Sequence, residues 1–294
     1  MTTSSPLSSG PTSGNAAADA TSGDHPRARI TVPALATMRA ERRRISMVTA
    51  YDVTFARLVD RGGVDIILVG DSVGMVVQGE ANTIPVDLDE MEYHVRLVAR
   101  AGTHAMVVGD LPFGSYQVSP QQAVESSVRL MKAGAQAVKL EGGVAMAETI
   151  AAITRVDIPV MGHIGLTPQS YHRMGGHRVQ GRKNGFEAGS RERLLEDAHA
   201  VEQAGAFSVV LEGIPLDLAA DITQKLSIPT IGIGAGNHCD GQVLVLHDLL
   251  GLSDHTFKFA KAYADLRGVV VAATQQYVAD VRDGAWPDDA HSFH

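Results

Sequence analysis

The chain has 294 residues, 45% of them hydrophobic and 20% charged, and its 33 acids against 25 bases give a formal charge of -8. That apolar share can build a full core and excludes a disordered chain, while the acidic balance excludes nucleic-acid or anionic-membrane surfaces, which need clustered Lys and Arg. The single cysteine, Cys239, excludes a disulfide framework and a cysteine zinc site, and no run approaches a membrane span, so a cytoplasmic protein is expected.

At about 150 residues per domain the length suggests two units, although α/β barrels use roughly 200–250 residues as one. Residues 1–29 are almost all Ser, Thr, Gly, Ala, Pro and Asp. Such a segment buries too little apolar area to offset its ordering entropy, so a disordered tail is expected. It lacks the apolar stretch of a secretory signal, and Asp19 and Asp24 precede its first basic residue, Arg27, unlike an acid-poor organelle leader. Residues 30–294 are expected to form one domain.

From Ile30 onward short apolar runs alternate with amphipathic segments. The runs are Ile45–Ala50, Val64–Val69, Ala105–Val108, Gln136–Leu140, Ile158–Met161, Ala206–Leu211, Pro229–Ile233 and Gln242–Leu246. Their near-continuous hydrophobicity suits strands buried on both faces of a parallel sheet. Helical patterns cover Asp52–Arg61, Asp87–Ala101, Pro120–Ala133 and Arg191–Ala204, and several of them end in Ala-Gly, a helix stop signal. Eight strands alternating with helices point to an α/β fold of the (β/α)₈ TIM-barrel type, with a doubly wound open sheet as the alternative.

Most runs stop on a polar residue. Asp71 and Ser72 follow the second, Asp110 the third, Glu141 the fourth, His163 the fifth, Glu212 the sixth, and His247 with Asp248 the eighth. In a parallel barrel the C-terminal strand ends converge on one face, where active sites sit. Any single acid after a strand can equally be the N-cap of the next helix. Four such acids at equivalent positions repel one another unless a cation lies among them. Oxygen donors without cysteine suit a hard cation, with Mg²⁺ favoured over zinc. Lys139, two residues before Glu141, shares its strand face, either as a structural ion pair or as a cation for a substrate carboxylate. Gly232-Ile-Gly234-Ala-Gly236 fails the dinucleotide fingerprint because Asn237 stands at the third glycine position. These glycines are expected to serve tight packing or close substrate approach.

The segments GDSVGM (Gly70–Met75), GDLPFGSY (Gly109–Tyr116), VKLEGG (Val138–Gly143) and GHIGLTPQS (Gly162–Ser170) carry a resemblance. So do GGHRVQGR (Gly175–Arg182), IPTIGIGAG (Ile228–Gly236), DGQVLVLHD (Asp240–Asp248) and HSFH (His291–His294). From Ile30 to His294 the chain resembles the ketopantoate hydroxymethyltransferase family. The stretch KNGFEAGSRER after Arg182 is longer than the family pattern, which bears on a lid rather than on the chemistry. The resemblance implies a barrel of the phosphoenolpyruvate mutase/isocitrate lyase type. It implies transfer of a one-carbon unit from 5,10-methylenetetrahydrofolate to 3-methyl-2-oxobutanoate, giving 2-dehydropantoate, with Mg²⁺ as cofactor and a homodecamer as assembly. Residue by residue it implies Asp71, Asp110 and Glu141 at the metal, Asp71, Ser72, Asp110 and Lys139 on the keto acid, and Glu212 as general base. His163 is expected beside the substrate, and the segment Gly175–Arg182 is a candidate lid that meets the acidic donor tail. A metal-dependent C–C lyase acting on a 2-oxo acid and a non-catalytic metabolite-binding barrel are the competing readings.

Overall fold

The computed structural model describes residues 27–182, 190–253 and 257–294. The expected tail falls almost wholly outside these residues, as do positions 183–189 of the long stretch after Arg182.

Eight parallel strands close into a barrel in chain order, β1 pairing with β8. In sequence the elements are α1 (Val32–Ala40), β1 (Ile45–Thr49), α2 (Val53–Arg61), β2 (Ile66–Val69), α3 (Leu88–Ala99), β3 (Met106–Asp110), α4 (Pro120–Ala133), β4 (Ala137–Glu141), α5 (Ala147–Thr154) and β5 (Val160–Gly165). They continue with α6 (Tyr171–Met174), α7 (Arg191–Gln203), β6 (Ser208–Glu212), α8 (Leu216–Lys225), β7 (Thr230–Ile233), β8 (Gly241–Leu244), α9 (Leu246–Leu249) and α10 (Leu266–Arg282). All eight apolar runs are strands and the four helical patterns are helices, within a few residues at each end.

The strands carry two hydrophobic sets because successive side chains alternate between the faces. Ile67, Val69, Val107, Val138, Leu140, Val160, Val209 and Leu211 face outward to helices through Met91, Val95, Leu130 and Ile150. Met47, Ile66, Leu68, Met106, Val108, Ala137, Met161, Val210, Ile231 and Val243 fill the barrel interior. Leu35 and Met38 of α1 join that interior set, so α1 closes the N-terminal end of the barrel. Thr31 caps α1 through its hydroxyl, and proline in the first turn suits the helix start.

The alternation of strands and helices fails once. Between β7 and β8 the loop Gly234–Asp240 carries no helix. Gly234 and Gly236 both hold positive φ, 62° and 83°, which ends the strand and prevents a helical start. A Cβ on Gly234 would press to 3.2 Å from the Phe259 ring, and one on Gly236 would stand 2.5 Å from the Leu216 side chain. The glycine-rich segment therefore serves packing.

Candidate active site

Asp71, Ser72, Asp110, Glu141 and Glu212 lie at the C-terminal end of a strand or in the loop just after it, and Lys139 and His163 stand one step inside β4 and β5. The inward set of β3 runs Met106, Val108, Asp110; that of β4 runs Ala137, Lys139, Glu141; that of β5 runs Met161, His163; that of β6 runs Ser208, Val210, Glu212. The hydrophobic interior thus turns polar at its upper layer because each strand's two-residue period delivers one more side chain to the mouth. His163 corrects the reading in detail: it stands inside β5, level with Glu141 on β4, and not after the strand. None of the four acids caps a helix. Capping falls instead to Asp52, Asp87, Ser119 and Ser190.

The buried groups make one row. Lys139 Nζ lies 2.6 Å from Asp110 Oδ1 and 3.4 Å from His163 Nδ1. His163 Nδ1 is 3.4 Å from Glu141 Oε1, and its Nε2 is 3.2 Å from Glu212 Oε2. Asp110 Oδ2 accepts the Asp71 backbone N–H at 3.1 Å. Gly70 makes this closeness possible, since a Cβ there would stand 2.8 Å from Ser72 Oγ and 3.4 Å from Asp110 Oδ2. The row lines a cavity of about 1180 Å³ that also has Met75, Leu166, Ile214, Ile233, Phe257 and Phe259 in its wall.

Charge at the mouth is unbalanced. Burial pushes the Asp71 carboxyl up, the neighbouring Asp110 and Glu141 push it further, and Lys139 and Gln169 only partly oppose them, leaving it at about 8. Burial raises Asp110 as well, against the Lys139 cation beside it. Burial and Lys139 press His163 down, but its contacts with Glu141 and Glu212 outweigh them and hold it at about 9, so it stands as an imidazolium at neutral pH. Lys139 is raised because Asp110, Glu141 and Asp71 overcome its desolvation. A carboxyl that keeps its proton near pH 7 among other acids marks a place where one more positive charge would be stabilised. The donors are carboxylate oxygens, which suit a hard divalent cation. Among the described residues no three His, Cys, Asp or Glu side chains form a metal cage by themselves. An ion that takes one or two carboxylates and completes its shell with water and substrate oxygens fits that arrangement.

Tyr51 and Gln169 were not singled out from sequence, and His247 was placed at a strand end without a role in the site. Tyr51 ends the β1 run; its buried hydroxyl is 2.9 Å from Ser72 Oγ, and burial raises its pKa. His247, in α9, lines the cavity with its ring 5.9 Å from that of Tyr51. Gln169 bonds to both Asp71 and Glu141. The strand-end rule that found the acids would have found Tyr51. A neutral amide in a loop gives no such signal. His177, Val179 and Arg182 also border the cavity, and the Gln180 N–H bonds to the Gly213 carbonyl at 2.9 Å, so the candidate lid already lies along the rim.

Solved structures similar in fold include a phosphonopyruvate hydrolase in complex with oxalate and Mg²⁺, with a TM-score of 0.59 at 13% identity over 90% of this chain and 92% of that one. A 2,3-dimethylmalate lyase of the PEP mutase/isocitrate lyase superfamily reaches 0.57 at 17% identity over 89% and 91%. At that identity they speak for the fold alone. In sequence, a 3-methyl-2-oxobutanoate hydroxymethyltransferase of Pelobacter propionicus is 59% identical over 270 residues, covering 91% of this chain and 98% of the relative. The protein of that name from Trichlorobacter lovleyi is 56% identical over 269 residues, covering 91% and 99%. The ketopantoate hydroxymethyltransferase profile matches residues 29–289, and the chain belongs to that enzyme family.

Proposed function

We propose that this chain transfers a hydroxymethyl group to 3-methyl-2-oxobutanoate, with 5,10-methylenetetrahydrofolate as donor and Mg²⁺ bound, and yields 2-dehydropantoate. The observation that carries this reading is the buried row Asp110–Lys139–His163–Glu212, which sets a cation for a carboxylate at one end and a carboxylate base at the other. Asp71, Asp110 and Glu141 are the residues that would hold the metal, not as a closed cage but together with water and substrate oxygens. Bound there, Mg²⁺ supplies stabilisation of negative charge on the keto oxygen.

Lys139 and Ser72 hold the substrate carboxylate, and Lys139 stays cationic because three acids surround it. That anchoring turns C3 toward Glu212, whose side chain is 18% exposed and so reaches into the cavity. Glu212 takes the C3 proton, a step worth roughly 10²–10⁴-fold. The His163 imidazolium, its Nε2 3.2 Å from one Glu212 oxygen, steadies that carboxylate at the cavity wall. The C3 carbon then bonds to the donor's methylene carbon. In the net change C3–H becomes C3–CH₂OH, one water is consumed, and tetrahydrofolate leaves. The apolar wall and the rim residues Arg182 and His177 suit a donor with a flat ring system and an acidic tail.

The chain's self-association belongs to the same reading. α10 has no buried residue, and Val269, Val270, Val271, Tyr277 and Val281 are all exposed on it. Such an apolar helix is expected to be covered by another copy, in the decamer that the resemblance implies. No helix among the described residues is long and apolar enough to cross a membrane, and a cytoplasmic enzyme fits the single buried cysteine.

Incubation with Mg²⁺, the keto acid and methylenetetrahydrofolate is expected to give 2-dehydropantoate. Absence of product with a well-folded protein would overturn the assignment. Cleavage of a 2-oxo acid without the donor would favour the lyase reading instead.

A further inference from the structure

Gln169 is a neutral residue deep in a charged site. It lies on the short turn Pro168–Ser170 that leaves β5, and it is 7% exposed. Its side-chain amide is fully engaged. Nε2 donates to Asp71 Oδ2 at 2.8 Å and to the Leu111 carbonyl at 3.0 Å. Oε1 accepts from the Tyr116 hydroxyl at 2.7 Å and from Gln117 Nε2 at 3.1 Å. The backbone N–H of the same residue donates to Glu141 Oε2 at 3.0 Å. One residue of the β5 loop therefore grips a carboxylate after β2 and a carboxylate at the end of β4.

The orientation of the amide is fixed by its partners. Exchanging its oxygen and nitrogen would set Oε1 against a carboxylate and a carbonyl, and would set an N–H₂ group against the donor amide of Gln117. Tyr116 is buried and is held in turn by the Glu141 backbone N–H, which donates to its hydroxyl at 3.2 Å. The chain of bonds thus runs from the β3 loop through Gln169 to both acids.

We propose that Gln169 is a positioning residue that fixes one oxygen each of Asp71 and Glu141, so that the other oxygen of each is presented to a divalent cation and the keto acid. The inference rests on the reading of the site given above. A lysine or arginine in this place would compete with the cation, and a carboxylate would add to an already unbalanced charge. The side-chain amide orients Asp71 and the backbone N–H orients Glu141, and neither changes the charge of the acids. Outer-shell partners of this kind typically change metal affinity by roughly 10–100-fold when removed. Gln169 acts through the two acids.

Gln169→Met keeps the length of the side chain and the backbone bond to Glu141 but offers Asp71 no donor. Tyr116→Phe leaves Gln169 in place and removes one of the two donors that fix its amide. Mg²⁺ titration of each protein by calorimetry, and steady-state kinetics across Mg²⁺ concentrations, measure the effect. For Gln169→Met a Mg²⁺ Kd weakened about 10–100-fold is expected, with a raised KM for the keto acid and a kcat that recovers as Mg²⁺ is increased. Tyr116→Phe is expected to shift Kd in the same direction by less. A Kd and KM within twofold of wild type in both variants would overturn the proposal, as would a loss of kcat that added Mg²⁺ does not repair. Should Gln169→Met fail to fold, Tyr116→Phe decides by the same criterion. The two readings fail separately: wild-type protein without Mg²⁺ binding or turnover sinks the proposed function and this inference with it, whereas an active wild type with unaltered variants sinks only the inference.

Discussion

Asp110 and Lys139 are both buried and lie 2.6 Å apart, and each is tolerable there only because of the other. Removing one partner of a buried pair leaves a desolvated charge and costs about 3–5 kcal/mol. Lys139→Ala is therefore expected to lower the unfolding free energy in urea by about that amount and to abolish keto-acid binding. An unchanged urea midpoint would show that water or another cation replaces it. At this scale the sequence was legible wherever charge met a strand end. Asp71, Asp110, Lys139, Glu141 and Glu212 break hydrophobic runs, and no core position tolerates them without a purpose. Gln169 was not legible in the same way. A buried amide in a loop breaks no pattern, and its partners lie tens of residues away.

Several helices are held by side-chain caps, and these stand apart from the chemistry. Asp87 makes a full capping box with Glu90, each accepting the other's backbone N–H at 2.9 Å. Asp87→Ala is expected to cost about 1 kcal/mol, a fall in melting temperature of roughly 2–4 °C for a chain of this size, with Mg²⁺ affinity unaltered. At the far end of α7, Glu202 accepts the Ser227 backbone N–H at 2.5 Å and its hydroxyl at 2.6 Å. Burial pushes this carboxyl up, but the Ser227 and Ile228 donors outweigh it and hold it below the usual carboxylate range. A depressed pKa means that the folded state favours the ionised form. Its stabilisation is present above the unfolded value of about 4.3 and is lost as pH falls through the lower folded value. Glu202→Gln should therefore be less stable than wild type at pH 7, and the gap should narrow under acid conditions. A gap constant with pH would remove the ionic contribution. The elements were legible from two periods, two for strands and 3.6 for helices. The sequence reading passed over α1, whose nine residues bury only Leu35 and Met38. It also took strands and helices to alternate, whereas β7 and β8 are joined by a loop without a helix that begins at the positive φ of Gly234 and Gly236.

Over the whole molecule, closure of eight strands gathers acids from positions 71 to 212 at one mouth, with the sealed end below them filled by Met47, Met106, Met161 and α1. The barrel satisfies its own strands and leaves one long apolar element, α10, outside the core. Val270, 52% exposed on that helix, offers a direct test of assembly. Val270→Asp is expected to lower the molar mass measured by light scattering without changing the helical signal of the chain. An unchanged mass would place the interface elsewhere. The fold was readable because a closed parallel barrel repeats one unit; assembly was not, since an exposed apolar face is silent about what covers it. The central claim is that Glu212 removes the C3 proton of a keto acid anchored at Lys139. Proton exchange at C3 of 3-methyl-2-oxobutanoate in D₂O with Mg²⁺, followed by NMR without the one-carbon donor, tests it most directly. Wild type is expected to exchange that proton and Glu212→Gln to bind the keto acid yet fail to exchange it, whereas exchange at the wild-type rate in the variant would contradict the account.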